Sequence, residues 1–232
     1  MPSGTAYGLL LEEGTKRGEK ILALGDPDYE SDVDAVAMKV RAGSLTKLAR
    51  LPGTRREVEA VGDVRLLGER ASETNLQAAL EARDRWRAVH LACHGLVDPE
   101  RPMLSALALT ADEENDGFLT ALEIFRMRIP ADLVVMSACE TGKGRIYQTE
   151  GIVGLTRAFM FAGAPRVLCS LWKVDDDATR ALMTKFYEEW NPDEGEGLPA
   201  AEALRNAQAF VRGHEMWAHP YYWAAWVLWG LP

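Results

Sequence analysis

The chain has 232 residues, 47% of them hydrophobic and 26% charged, which are ordinary values for a globular domain, and its net charge of −9 disfavours nucleic-acid binding. No run reaches the ~18 apolar residues of a membrane span and the N-terminus lacks a signal-peptide pattern, so neither a membrane nor export is expected. Three cysteines are a low, odd count that suits a reducing compartment and predicts a cytoplasmic location.

Strands and helices alternate along almost the whole chain. The first predicted strand, 20–25, follows a segment (1–19) that is an edge segment at most, and residues 30–52 are predicted to form a surface loop with at most a short element. A capping box of Thr54 and Glu57 predicts the start of the first helix, and Thr120 starts a short helix that carries Glu123. The remaining predicted elements are strands 64–68, 88–92, 132–138 and 166–172, helices 72–84, 150–162, 175–190 and 199–211, a hairpin of 105–110 with 117–120, a loop over 191–197, and a last strand or buried edge segment over 221–229.

This alternation is typical of an α/β fold. Apolar, β-branched runs such as 132–138 favour a mainly parallel sheet that is buried under helices on both faces. The length suits one sizeable domain, which we expect to span residues 1–232.

Two predicted strands end in a reactive side chain that is followed by glycine. One run leads into His94-Gly95, and the other ends at Cys139 before a glycine-containing loop. The carboxyl ends of strands in open α/β sheets form ligand-binding edges, and a thiol with an imidazole is the minimum for an activated cysteine nucleophile. The pattern therefore predicts a cysteine enzyme in which backbone N–H groups near the thiol form an oxyanion hole.

The other cysteines and histidines fit structural roles better. Cys169 lies in mid-strand, where a cysteine usually behaves as a small apolar residue. His90 and His94 would lie roughly 13 Å apart on a strand, at ~3.3 Å per residue, so they cannot share a metal, and His90 is expected to be buried and structural. His214 and His219 look incidental, and we expect no metal site and no cofactor.

These segments resemble the CHAT domain, a caspase-like cysteine protease family often found beside tetratricopeptide repeats. His94-Gly95 matches the family's histidine–glycine, and residues 137–142 match its Ser-Ala-Cys-Glu-Thr-Gly block. Further matches lie in residues 151–163, 170–176 and 219–224. The resemblance implies a caspase–hemoglobinase fold with a six-stranded, mostly parallel sheet. It also implies a Cys–His dyad in which Cys139 is the nucleophile and His94 the base, and backbone N–H groups of Gly95 and Cys139 hold the oxyanion.

The resemblance also bears on specificity. Separase, from the same clan, has a similar Leu-Trp-x-Val-x-Asp stretch and cleaves after arginine. By position Asp176, with Asp175 beside it, would form an acidic pocket for a basic P1 residue. The competing interpretation is that the acids of 175–177 cap a helix and interact with its dipole.

Three other functions compete with the protease. The first is a caspase-like scaffold without activity, which would not need the thiol, the imidazole and both glycines. The second is an acyltransferase or thioesterase, which fits the order of the motifs poorly. The third is phosphate binding at Gly142-Lys143-Gly144, which fails the P-loop spacing. The family resemblance suggests a bacterial effector of defence or cell death that cleaves a protein substrate. It also suggests regulation by a sensor or by a repeat-containing partner or domain. Loops 26–52 and 111–117 are predicted to recognise the substrate.

Overall fold

The structure, a computed structural model, describes Gly8 and residues 17–29, 48–98, 100–137, 139–140, 148–191 and 196–231, without the side chains of 138–150. Most of the predicted edge segment and of loops 30–52 and 191–197 therefore lies outside the described residues. The strands are β1 (Glu19–Pro27), β2 (Val64–Gly68), β3 (Trp86–Ala92), β4 (His94–Leu96), β5 (Ala106–Ala108), β6 (Phe118–Thr120), β7 (Ala131–Met136), β8 (Cys139–Glu140), β9 (Arg166–Ser170) and β10 (Trp226–Gly230). The helices are α1 (Pro52–Val61), α2 (Glu73–Glu81), α3 (Ala121–Arg126), α4 (Gln148–Phe161), α5 (Asp176–Trp190) and α6 (Ala200–Arg212).

The main sheet has six strands in the order β10-β9-β7-β3-β1-β2. All neighbouring strands are parallel except β10, which pairs antiparallel with β9 at the edge. The central strands are buried on both faces, which explains their continuous apolar runs. The predicted α/β class with a six-stranded, mostly parallel sheet is confirmed.

Helices cover both faces of this sheet. The first face packs against α2, α3 and α4 through side chains that include Leu76, Ile124 and Phe159. The second face packs against α1, α5 and α6 through side chains that include Val58 and Phe186. Alternate residues of each strand enter opposite clusters, as the period of two in a strand requires.

A second, four-stranded sheet in the order β6-β5-β4-β8 lies beyond the end of β3 and was not predicted. Its β5–β6 pair is the predicted hairpin. Strand β3 ends at Ala92, the chain bends at Cys93, and His94 opens β4, so His90 and His94 do not lie on one strand as the sequence had suggested.

Two local predictions were wrong. The helix expected to start at a Thr54–Glu57 capping box begins at Pro52, because proline suits the first turn, where its missing N–H has no partner to lose. Thr54 donates instead to the Leu51 carbonyl and accepts from the Asp26 N–H. The last strand begins at Trp226, because two short 3-10 turns occupy 215–217 and 220–222. The capping box of Thr120 and Glu123 is present in α3.

Candidate active site

The parallel strands β1, β3, β7 and β9 deliver four segments to one edge of the main sheet, because parallel strands share the direction of their carboxyl ends. Asp26–Tyr29 follows β1, His94 follows β3, Cys139 follows β7, and residues 171–176 follow β9. The sequence-predicted site residues therefore lie at the same end of the fold.

The second sheet brings the two predicted dyad positions side by side. In the parallel pairing of β4 with β8, His94 is the register partner of Cys139, and Gly95 is the partner of Glu140. Neighbouring strands lie about 4.8 Å apart, so the two backbones are adjacent. The thiol of Cys139 lies outside the described side chains.

The imidazole of His94 is held in one orientation by a backbone carbonyl. The ring is 7% exposed, and its Nε2 lies 2.7 Å from the carbonyl oxygen of Ala49. Because a carbonyl can only accept, Nε2 carries the proton, and in the neutral ring Nδ1 holds the lone pair. This contact was not foreseen, since a backbone acceptor leaves no signal in the residue type.

Tyr29 supports the same ring from another side. Its ring centroid lies 5.3 Å from that of His94, and its hydroxyl oxygen accepts from the His94 backbone N–H at 3.4 Å. The hydroxyl donates to the Ala108 carbonyl at 3.1 Å. Burial raises the pKa of Tyr29 well above its usual value, so the hydroxyl stays protonated. The end of β1 thus contributes a wall of the histidine site that sequence reasoning missed.

The electrostatic environment keeps His94 neutral. Burial lowers the pKa of its imidazole below the ordinary 6.5, the hydrogen bond to Ala49 acts in the opposite direction, and the positive charge of Lys173 lowers the pKa further. At neutral pH the ring is therefore available as a proton acceptor.

The three consecutive aspartates 175–177 have three different environments. The carboxylate of Asp175 caps α5, where it accepts from the N–H groups of Asp177 and Ala178. Asp177 pairs with Arg56 at 3.6 Å and with Arg180 at 3.5 Å. Asp176 makes no ion pair with another described residue.

The carboxylate of Asp176 lies against the backbone of α1. A β-carbon added to Gly53 would lie 2.1 Å from Asp176 Oδ2. Burial raises the pKa of Asp176, and the charges of Glu57 and Asp175 raise it further, while Lys173 and Arg56 oppose the shift. Lys173 therefore acts on both Asp176 and His94. Of the two predicted pocket residues, Asp176 has a carboxylate that is available to a ligand, whereas the carboxylate of Asp175 is hydrogen-bonded in the helix cap.

His90 is fully buried, as predicted. Its Nε2 lies 3.1 Å from Glu57 Oε1 and its Nδ1 lies 3.2 Å from the Tyr187 hydroxyl. These contacts join β3 to α1 and α5. They also explain why Glu57 forms no capping box: its carboxylate binds this histidine instead of a helix N-terminus.

The two other cysteines lie in the core. Cys93 and Cys169 are buried in the first cluster of apolar residues. Burial raises the pKa of Cys169 to about 11, which suppresses its thiolate. Within the part of the chain that is described, no three His, Cys, Asp or Glu side chains converge on a metal position, and no helix combines the length and apolarity needed to cross a bilayer.

The six-stranded sheet, its two layers of helices and the β4–β8 pair define a caspase-like α/β domain. The model of the CHAT domain matches residues 1–231, and the chain belongs to this family.

Two curated relatives are tetratricopeptide repeat protein 28 of Mus musculus and of Homo sapiens, which are 36% and 34% identical over 112 residues. That segment is 48% of this chain and 4% of either relative.

A chain of the Saccharomyces cerevisiae separase–securin complex, solved at 2.6 Å, superposes with a TM-score of 0.53 at 15% identity. The superposition covers 97% of this chain and 13% of that one, so this chain corresponds to a small part of a much longer protein in each case.

Proposed function

We propose that this chain, acting as one catalytic domain, is a cysteine endopeptidase with Cys139 as nucleophile and His94 as base. The observation that carries the proposal is the register pairing of His94 with Cys139, combined with the Ala49 carbonyl that holds the proton on His94 Nε2. The lone pair on Nδ1 is then free to accept the thiol proton.

The reaction would follow from this arrangement. The Cys139 thiol loses its proton to His94 Nδ1, and the sulfur forms a bond to the scissile carbonyl carbon. Backbone N–H groups of Gly95 and Cys139 would stabilise the oxyanion. The imidazolium returns the proton to the leaving amine as the C–N bond breaks, and a water molecule, activated by the same imidazole, hydrolyses the thioester. No bound metal or cofactor is required by these steps.

The proposed substrate is a protein cleaved after Arg or Lys. Asp176 supports this specificity because its carboxylate has no ion pair among the described residues, and because the negative charges of Glu57 and Asp175 outweigh the opposing charges of Lys173 and Arg56. A guanidinium or ammonium group entering this position would supply a direct ion-pair partner. Asp175 would contribute its field to the pocket and not a direct contact, because its carboxylate caps α5.

The proposal extends to regulation. The curated relatives are tetratricopeptide repeat proteins, and the structural neighbour comes from a complex with securin. Both support a repeat-containing or regulatory partner or domain that controls the site. The proposed biological setting is a regulated bacterial effector of defence or cell death in the cytoplasm.

The test is cleavage of fluorogenic peptides with Arg, Lys or Asp at P1 by the wild type, Cys139→Ala and His94→Ala. We expect turnover after Arg or Lys that both substitutions abolish. Turnover after Asp would support the protease assignment and contradict the assignment of Asp176 to the P1 pocket.

A silent wild type is examined with a thiol-reactive probe. Labelling of Cys139 that depends on His94 indicates a dormant enzyme, and no labelling indicates a caspase-like scaffold. Cys169, whose thiol is buried, is the internal control for selective labelling.

A further inference from the structure

The end of β1 carries a buried carboxylate beside the candidate site. Asp26 is 1% exposed and its backbone has a left-handed φ of 45°, which is uncommon for a residue other than glycine. Its Oδ2 accepts from Arg50 Nη2 and from Arg55 Nε, each at 2.9 Å. A buried carboxylate is costly unless it is paired, and this one binds two guanidinium groups through one oxygen.

Only one of the two arginines is next to the acceptor of His94. Arg50 directly follows Ala49, whose carbonyl binds His94 Nε2 at 2.7 Å. Arg55 lies one turn into α1. The two side chains are otherwise alike, since they reach the same oxygen at the same distance and are 52% and 41% exposed.

The Ala49 carbonyl lies between two anchored residues. On one side Leu48 packs against the small apolar cluster that contains Tyr29 and Phe118. On the other side Arg50 is bound to Asp26. Ala49 itself lies on the surface, so the direction of its carbonyl depends on these neighbours.

We propose that Asp26 and Arg50 are positioning residues that fix the Ala49 carbonyl and, through it, the Nε2–H tautomer of His94. This inference rests on the proposed function for its catalytic consequence, but the tautomer itself is independent of turnover. Without the fixed acceptor the imidazole can carry its proton on Nδ1 instead, and that form cannot take a proton from the thiol.

The matched pair of substitutions is Arg50→Ala and Arg55→Ala. Each leaves Asp26 with one guanidinium partner, so neither leaves the buried carboxylate unpaired. The tautomer of His94 is read from imidazole 15N chemical shifts in the full chain with labelled histidine, and His94→Ala assigns the signal among the four histidines.

We expect Arg50→Ala to convert the single Nε2–H form of His94 into a mixture of tautomers, with Arg55→Ala unchanged. In the peptide assay kcat should fall by up to about 100-fold for Arg50→Ala with KM little changed, the scale for a misplaced catalytic group. Arg50→Lys, which retains a cation, should recover part of the loss.

Asp26→Asn should give the same change of tautomer, because the neutral amide weakens the contact with Arg50. Its control is Asp132→Asn, which alters another buried carboxylate held by two arginines, Arg85 and Arg87, at the opposite end of the sheet. The control should lower stability and leave His94 unchanged.

The outcomes separate this inference from the proposed function. Identical tautomers and kcat in Arg50→Ala and Arg55→Ala would overturn the positioning role while the protease stands. A change of tautomer in Arg50→Ala alone, in a chain that neither cleaves a peptide nor is labelled at Cys139 by the thiol probe, would support the positioning role and count against the protease.

Discussion

Gly53 offers the sharpest test of the proposed P1 pocket, because its backbone lies so close to the Asp176 carboxylate that any side chain here would meet it. A β-carbon at this position would lie 2.1 Å from Oδ2, 2.5 Å from Cγ and 2.8 Å from Cβ of Asp176. All three distances are shorter than real contacts. Rotation of the carboxylate alone cannot relieve them, since the clash includes the β-carbon of Asp176.

The required displacement follows from these distances. To reach an ordinary separation near ~3.5 Å, Oδ2 must move by more than ~1 Å, so Gly53→Ala forces Asp176 into another rotamer or moves α1 away from α5. A misplacement of about 1 Å can cost up to ~100-fold in rate. We therefore expect kcat/KM for an Arg peptide to fall by about 10- to 100-fold.

The cost in stability should stay within the roughly 5–15 kcal/mol by which a typical domain is folded, so the variant can be assayed. The overpacking costs about 1–3 kcal/mol, and the glycine-to-alanine change offsets less than the ~1 kcal/mol of a helix interior, because Gly53 lies in the first turn of α1. Gly213→Ala is the matched control, because a β-carbon there meets only backbone oxygens at 3.4 and 3.5 Å, which is ordinary contact. Both variants are compared by thermal unfolding and by peptide cleavage, with active sites counted by the thiol probe.

The decisive result is the preference between Arg and uncharged P1 residues. If Gly53→Ala folds and cleaves Arg peptides as efficiently as the wild type, Asp176 does not bind the P1 side chain. If kcat/KM falls equally for Arg and uncharged P1 residues, the displacement acts on the catalytic centre and the pocket assignment lacks support.

Three further predictions concern other groups around the site. Tyr187→Phe leaves His90 Nδ1 buried without its partner and should lower the free energy of unfolding by about 1–3 kcal/mol in urea; an unchanged midpoint would show that this hydrogen bond adds no stability. Because burial raises the pKa of Cys169 to about 11, iodoacetamide at pH 8 should leave this residue unmodified in the native protein and alkylate it only after unfolding, as mass spectrometry can show. Lys173→Gln removes a positive charge that lowers the pKa of His94, so this pKa should rise and the acid limb of kcat/KM should move to higher pH, with Lys173→Arg as the unchanged control; no movement would mean that His94 does not set this limb.

The sequence predicted those parts of the fold that have a long apolar signal. The core strands β3 and β7 are continuous buried runs, and each leads directly to a reactive side chain at the sheet edge. Because parallel strands share the direction of their ends, the proximity of His94 and Cys139 followed from the class of sheet.

Short elements and backbone acceptors had no comparable signal. Strands β4 and β8, of three and two residues, are too short for periodicity to reveal, although they bring the dyad positions into register. Glu57 matched a capping pattern, and only the three-dimensional structure shows that its partner is His90, whose Nε2 would otherwise be buried without this carboxylate. The role of Ala49 lies in its carbonyl, which every residue has.

The segment 48–57 contacts both halves of the proposed site. Its Ala49 carbonyl binds His94 Nε2, its Arg50 binds Asp26, and its Gly53 lies against the Asp176 carboxylate. A shift of this segment would therefore change the tautomer of His94 and the position of Asp176 together. For this reason the tautomer distinguishes a defect of the base from a defect of the pocket: Arg50→Ala should alter it, whereas Gly53→Ala should alter it only if the whole segment moves.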